Sequence, residues 1–241
     1  MNQELFLYGG KSGWTESEWV TTDDRVRGGS SRSHLSVREK HGPVAVFHGH
    51  LDTSTLGGAG FASQRTGGAL HLDLSPYAGI RLALPAQQGD GRRYVVTLKD
   101  ELPGRRDDGR ERSGVSWEAE FVNAGGGHGG ATDVVLPWAS FRATYRGRDK
   151  PDAEPLDRSD IQRIGLMMRS FFDSQDGDFS LEIASISVFG PSQQQQQQEG
   201  GDDSEEEGEE EDLRKPPTGF PGAKPLRHSS WGWRALFCGL L

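Results

Sequence analysis

The chain has 241 residues, enough for one large domain or two small ones, and much of its formal charge of −9 sits in one stretch: residues 199–212 hold ten acids and no base. The first 192 residues carry 22 bases and 26 acids, interspersed, which excludes the basic stripe of a nucleic-acid footprint. A single cysteine, Cys238, excludes an intrachain disulfide and a cysteine zinc site, and no apolar run approaches the roughly 20 residues of a membrane-spanning helix.

The opening "MNQELFLYGG" lacks the basic n-region and long apolar h-region of a secretory signal. With Glu4, Glu16 and Glu18 against Lys11 alone, the first twenty residues are also a poor mitochondrial presequence. "LFLYG" is the first of about ten short apolar runs with the period-two pattern of strands. Trp14 and Trp19 follow it and read as plugs at one end of a sandwich. Next comes "DDRVRGGSSRSHL", Asp23 to Leu35, dense in acids, arginines, glycines and serines. Gly28 and Gly29 suit positive φ or close backbone approach, and Asp24 and the serines can satisfy turn N–H groups. The stretch is expected to be a structured turn leading into a strand at His34–Glu39. The alternative is a partner-binding surface, for which Asp24, Arg25 and Arg27 are the candidate residues.

"SHLSVRE", "PVAVFHGHL" and "GFASQR" are the next strand candidates. "GIRLALP" sets Ile80, Leu82 and Leu84 against Arg81 and Ala83, and "RRYVVTLKD" sets Tyr94, Val96 and Leu98 against Arg93, Val95 and Thr97. In "GVSWEAEFV", Val115, Trp117, Ala119 and Phe121 share the face expected to be buried, and Ser116, Glu118 and Glu120 the face expected to meet solvent. "TDVVLPW" and "IQRIGLMMR" follow. "PLDRSDIQRIG" offers at most a helical turn capped by Asp157 or Ser159. "FSLEIASISVF" changes phase: Phe179, Leu181 and Ile183 share one parity, Ile186 and Val188 the other. That predicts either a bulge near Ala184–Ser185 or a central strand buried on both faces. Many short strands with little helix predict an all-β chain, a single β-sandwich or jelly roll over residues 1–191.

Residues 192–241 are expected to form a separate tail. Its glutamine and glutamate runs cannot bury a core and predict disorder. The chain ends in "WRALFCGLL", which reads equally as a shallow contact at a membrane interface or as an artefact of the gene model.

Motifs for chemistry are weak. "HGH" puts His48 and His50 on one strand face, a metal-ligand spacing that lacks a third partner, and solvent exposure opposite Phe47, Gly49 and Leu51 is the plainer reading. "GGGHGG" around His128 looks like an oxyanion loop, but no G-x-S-x-G elbow accompanies it, so a hairpin loop is expected. "GGSSRS" lacks the P-loop spacing. Catalytic, cofactor and metal residues are therefore expected to be absent. Trp14, Trp19, Trp117 and Trp138 could line a sugar-binding face, but core packing suits them better.

Seven blocks in order carry a resemblance: "DDRVRGGSSRSHL", "FHGHLDTSTLGGAGFASQRT", "GDGRRYVVTLKDE", "VSWEAEF", "VVLPWASFRATYRGR", "LDRSDIQRIGLMMRS" and "FSLEIASISVF". Over residues 5 to 190 the chain resembles the NADH:ubiquinone oxidoreductase complex I intermediate-associated protein 30 family. The resemblance implies a galactose-binding-like jelly roll. It implies a non-enzymatic, chaperone-like factor that holds complex I assembly intermediates by protein–protein binding, without cofactor, in mitochondria. The alternative is a carbohydrate- or other ligand-binding sandwich module outside mitochondria, with the cytoplasm as the other compartment.

Overall fold

Alternation of apolar and polar residues, punctuated by glycine and proline, produces fourteen strands among the described residues and no helix longer than a 3-10 turn. The computed structural model describes residues 4–190, apart from 40, 41, 87, 88, 110 and 126–129. The strands are β1 (Glu4–Gly9), β2 (Trp19–Thr21), β3 (Arg32–Arg38), β4 (Val44–Leu51), β5 (Phe61–Thr66), β6 (Gly79–Leu84) and β7 (Arg93–Lys99). They continue with β8 (Ser116–Val122), β9 (Thr132–Pro137), β10 (Arg142–Tyr145), β11 (Arg148–Asp149), β12 (Arg163–Arg169), β13 (Gly177–Ile183) and β14 (Ser185–Phe189). The tail from 192, and the domain boundary expected at 191, lie outside the described residues.

All strand pairs are antiparallel. One sheet has seven strands in the order β11-β10-β8-β7-β12-β5-β2. Facing it are a four-stranded sheet, β1-β14-β6-β9, and a three-stranded sheet, β13-β4-β3. Rings crossing the interior show the packing: Phe47 of β4 and Phe179 of β13 each stand edge-on to Tyr94 of β7 at 6.3 Å. Tyr8 of β1 meets Trp19 of β2 at 5.0 Å. Ile80, Leu82, Leu98, Ile164, Leu166 and Leu181 are buried in the same core, each contributing about 1.5–3 kcal/mol of transfer free energy. The expected β-sandwich is therefore the observed fold.

The phase change in "FSLEIASISVF" is a change of sheet. β13 alternates, with Phe179, Leu181 and Ile183 buried, and pairs with β4. After Ala184 the chain becomes β14, central in the four-stranded sheet, where Ser185 to Val188 are all buried. So both-face burial holds for the second half, while no bulge forms at Ala184; the register irregularity lies instead in the partner strand β1, between Phe6 and Tyr8. The Ala184 carbonyl accepts a hydrogen bond from Trp14 Nε1 at 3.0 Å, fixing the indole at the crossing.

Two expectations on β8 need correction. Trp117 does pack against the core but is only half-buried. Glu118, expected to face solvent, is buried, because Arg169 and Thr144 both donate to its carboxylate. Val95, on the same outer face, is also fully buried. Part of the outer side of the seven-stranded sheet is therefore buried beneath paired charges.

Candidate functional site

Asp23 and Asp24 are both interior. A 3-10 turn, Asp24–Arg27, ends on Gly28 at φ +85°, the left-handed value that glycine adopts without steric cost. Gly29 serves differently: a Cβ there would lie 2.3 Å from Asp24 Cγ. That close approach seats the Asp24 carboxylate, which is 0 % exposed. Asp24 Oδ1 accepts from Ser31 N (3.0 Å), and Oδ2 from Ser31 Oγ (2.6 Å) and Phe61 N (3.1 Å). Asp23 accepts from Ser33 N (2.9 Å), Ser33 Oγ (2.6 Å) and Ser63 N (2.9 Å). Ser33 is on β3 and Ser63 on β5, so the paired carboxylates fasten strands of two different sheets. Burial raises the Asp23 carboxyl above its ordinary value, although the bonds from Ser33 and Ser63 pull the other way.

The arginines of the same turn point outward. Arg25 and Arg27 are exposed, and Val26 between them is 62 % exposed. Arg27 begins a ladder of alternating cations and rings along one end of the seven-stranded sheet. Its guanidinium lies over Phe61 at 5.5 Å. Phe61 is opposite Arg169 in the β5–β12 pair. Arg169 lies over Phe171 at 4.5 Å, and Arg93 of β7 covers the same ring at 3.8 Å. Each such contact contributes on the order of 0.5–2 kcal/mol. Glu118 and Glu120 of β8 neutralise the ladder, at 2.7 Å from Arg169 Nη1 and 3.6 Å from Arg93 Nη1 respectively.

Beside Phe171 the backbone is strained. Phe171, Phe172 and Asp173 have φ of 46°, 58° and 67°, three consecutive non-glycine residues in the left-handed region. The turn closes through Ser174 N donating to Ser170 O at 2.9 Å. Gln175 holds it from below, its Nε2 donating to the Arg93 and Arg169 carbonyls and its Oε1 accepting from Arg93 N. At the apex Phe172 is 94 % exposed. The turn thus holds a large apolar ring in water on a strained backbone.

The other sequence candidates fall elsewhere. His48 and His50 are on the outer face of the three-stranded sheet. The His48 ring lies 5.6 Å from that of His34, and burial, with His34 and Arg38, lowers its pKa. His50 Nδ1 pairs with Asp178 at 2.7 Å, and both are exposed. Among the described residues no group of three or more His, Cys, Asp or Glu side chains could hold a metal ion. "GGGHGG" and His128 fall largely outside the described residues. Trp14 and Trp19 join Tyr8 in one ring cluster, and Trp138 packs on Phe141 at 5.8 Å. None of the four candidate tryptophans forms an exposed stacking row. The Phe171–Phe172 turn has one signal in the sequence, the adjacent aromatics "FF" before "DSQDG".

The architecture defines an antiparallel jelly-roll sandwich of the kind seen in carbohydrate-binding modules. The family 11 carbohydrate-binding module of the cellulosomal cellulase Lic26A-Cel5E of Clostridium thermocellum superposes with a TM-score of 0.54 at 14 % identity, covering 78 % of this chain and 95 % of that one. The same module in complex with a β-1,3-1,4-mixed-linked tetrasaccharide gives 0.53 at the same identity and coverage. At that identity the likeness is one of fold. The chain belongs to the Complex I intermediate-associated protein 30 (CIA30) family, whose pattern matches residues 6–183. The uncharacterized protein C9E9.15 of Schizosaccharomyces pombe is 39 % identical over 186 residues, 76 % of this chain and 82 % of its own.

Proposed function

We propose that this protein is a non-enzymatic assembly factor for respiratory complex I, binding assembly intermediates in mitochondria through protein–protein contacts. The observation that carries this reading is the family match, which spans almost the whole sandwich. The surface suits it. Phe172 supplies a solvent-facing apolar anchor of the kind that dominates protein interfaces, and the Arg27–Phe61–Arg169–Phe171–Arg93 ladder gives it a rigid, polar-rimmed base. A polysaccharide platform of aromatic rings in a row would need the tryptophans that are packed against the core here. Deleting the gene in cells that contain complex I tests the proposal. Native electrophoresis should show loss of the assembled complex with build-up of partial assemblies. Normal assembly in the deletion strain would overturn it.

A further inference from the structure

At the opposite end of the same sheet face lies a cationic pocket. β7 and β12 place Lys99 directly opposite Arg163, a like-charge cross-strand pair that ordinarily destabilises a sheet. Arg65 of β5, opposite Gly165, is diagonal to Arg163 and adds a third cation. The segment between β7 and β8 folds over this end and sets the Glu111 carboxylate against two guanidinium groups. Its oxygens lie 2.9 Å from Arg65 Nη2 and 2.8 Å from Arg163 Nη1. Lys99 Nζ is taken up by the Gly114 and Val115 carbonyls, at 3.3 and 2.9 Å. The nearby acids are engaged elsewhere: Asp100 accepts from Asp157 N, and Glu118 accepts from Arg169 and Thr144.

Between this segment and the glycine turn after β5 is a cavity of about 230 Å³. Among the described residues, Lys99, Arg105, Arg112 and Arg163 line it, with Glu111 as the one acid. The Arg163 side chain is only 9 % exposed, and its Nε is buried with no hydrogen-bond partner among the described residues. Burial, followed by repulsion from Arg163, holds the Lys99 ammonium and the Arg65 guanidinium below their ordinary pKa values. Gly67, Gly68 and Gly104 complete the wall with bare backbone. The described lining thus sets four cations against one carboxylate, and donors arrive from β7, β12 and the covering segment. A dianion with several acceptor oxygens satisfies both conditions better than a second carboxylate.

We propose that this pocket is a binding site for the phosphate group of a small soluble phosphomonoester. The cavity fits that group with a short substituent and is smaller than a drug-sized site.

The test is thermal unfolding of the full chain, titrated with sodium phosphate and with glycerol 3-phosphate, against sodium chloride at matched ionic strength. Both phosphates should raise the melting temperature saturably beyond chloride. Gly68→Glu places a carboxylate at the rim, where a Cβ meets nothing within 4 Å and the backbone is not left-handed. It should fold normally and weaken phosphate binding on the order of tenfold or more, the scale set by one charge-assisted contact. Arg112→Gln should act in the same direction. Glu111→Gln should lower the melting temperature and bind phosphate more tightly than the wild type, with phosphate restoring the lost stability. Equal responses to phosphate and chloride in all four proteins would overturn the proposal and leave the cluster as a clamp for its own covering segment. Binding to phosphatidic-acid vesicles without any response to glycerol 3-phosphate would overturn the soluble ligand in favour of a lipid headgroup.

Discussion

Replacing Asp24 with asparagine removes one acceptor oxygen and almost no volume, so it isolates the role of the buried carboxylate. Oδ1 serves Ser31 N; Oδ2 serves Ser31 Oγ and Phe61 N. An asparagine has one oxygen, and in either amide orientation its NH2 faces a backbone N–H: that of Phe61 or that of Ser31. One charge-assisted bond is lost, at about 1.5–3 kcal/mol, and a buried N–H is left without an acceptor, at about 1–3 kcal/mol. Because the two costs overlap, the expected destabilisation is about 2–4 kcal/mol. At roughly 2–4 °C per kcal/mol for a domain of this size, the melting temperature should fall by roughly 5–15 °C. Urea unfolding followed by tryptophan fluorescence should show a lower midpoint with an unchanged slope. Arg25→Ala, one residue along but exposed, should change stability by no more than about 0.5 kcal/mol. An Asp24→Asn protein that melts within a degree of the wild type would show that the buried carboxylate does not hold the turn.

Gly29→Ala drives a methyl into the Asp24 carboxylate and should destabilise more than Gly28→Ala, which meets open space and bears only the left-handed strain of about 1 kcal/mol; paired melting curves check the order. Phe172→Gly relieves backbone strain at φ 58° and removes an exposed ring, so stability should rise by about 1 kcal/mol while partner capture falls. Burial makes the native Asp23 carboxyl hold its proton more tightly than the unfolded chain does. Its contribution is therefore greatest below the ordinary carboxylate value and is lost as pH rises through the raised native one. The stability difference between wild type and Asp23→Asn should shrink across that window, and a difference that grows would contradict the sign. Limited proteolysis should leave a resistant fragment ending near Pro191; a stable fragment that requires residues 193–241 would contradict the domain division.

Much of the sandwich was legible because period-two runs such as Tyr94/Val96/Leu98 and Phe179/Leu181/Ile183 have one physical solution, an inward face. β2, β10 and β11 were missed because two to four residues carry too little pattern to register. Glu118 and Val95 were misjudged because alternation assigns a face but cannot say what covers it; the cover comes from Arg169 and Met167 on β12, distant in sequence. In the opening turn, the chemistry of Gly28, Gly29 and the serines was readable locally. That Asp23 and Asp24 reach β5, some forty residues on, was not. The cationic pocket was invisible for a related reason: Arg65, Lys99, Glu111 and Arg163 are spread over a hundred residues, and only sheet register brings them together.

The most direct measurement is affinity capture from fractionated mitochondria with the wild type, Phe172→Gly and Arg27→Ala, each first shown to be folded by its melting curve. The wild type should recover complex I subunits, and Phe172→Gly should lose them with its stability intact. Arg27→Ala should lose them in part. Undiminished capture by both variants would contradict the placement of the partner surface, and wild-type protein that recovers no complex I subunit would contradict the assembly role itself.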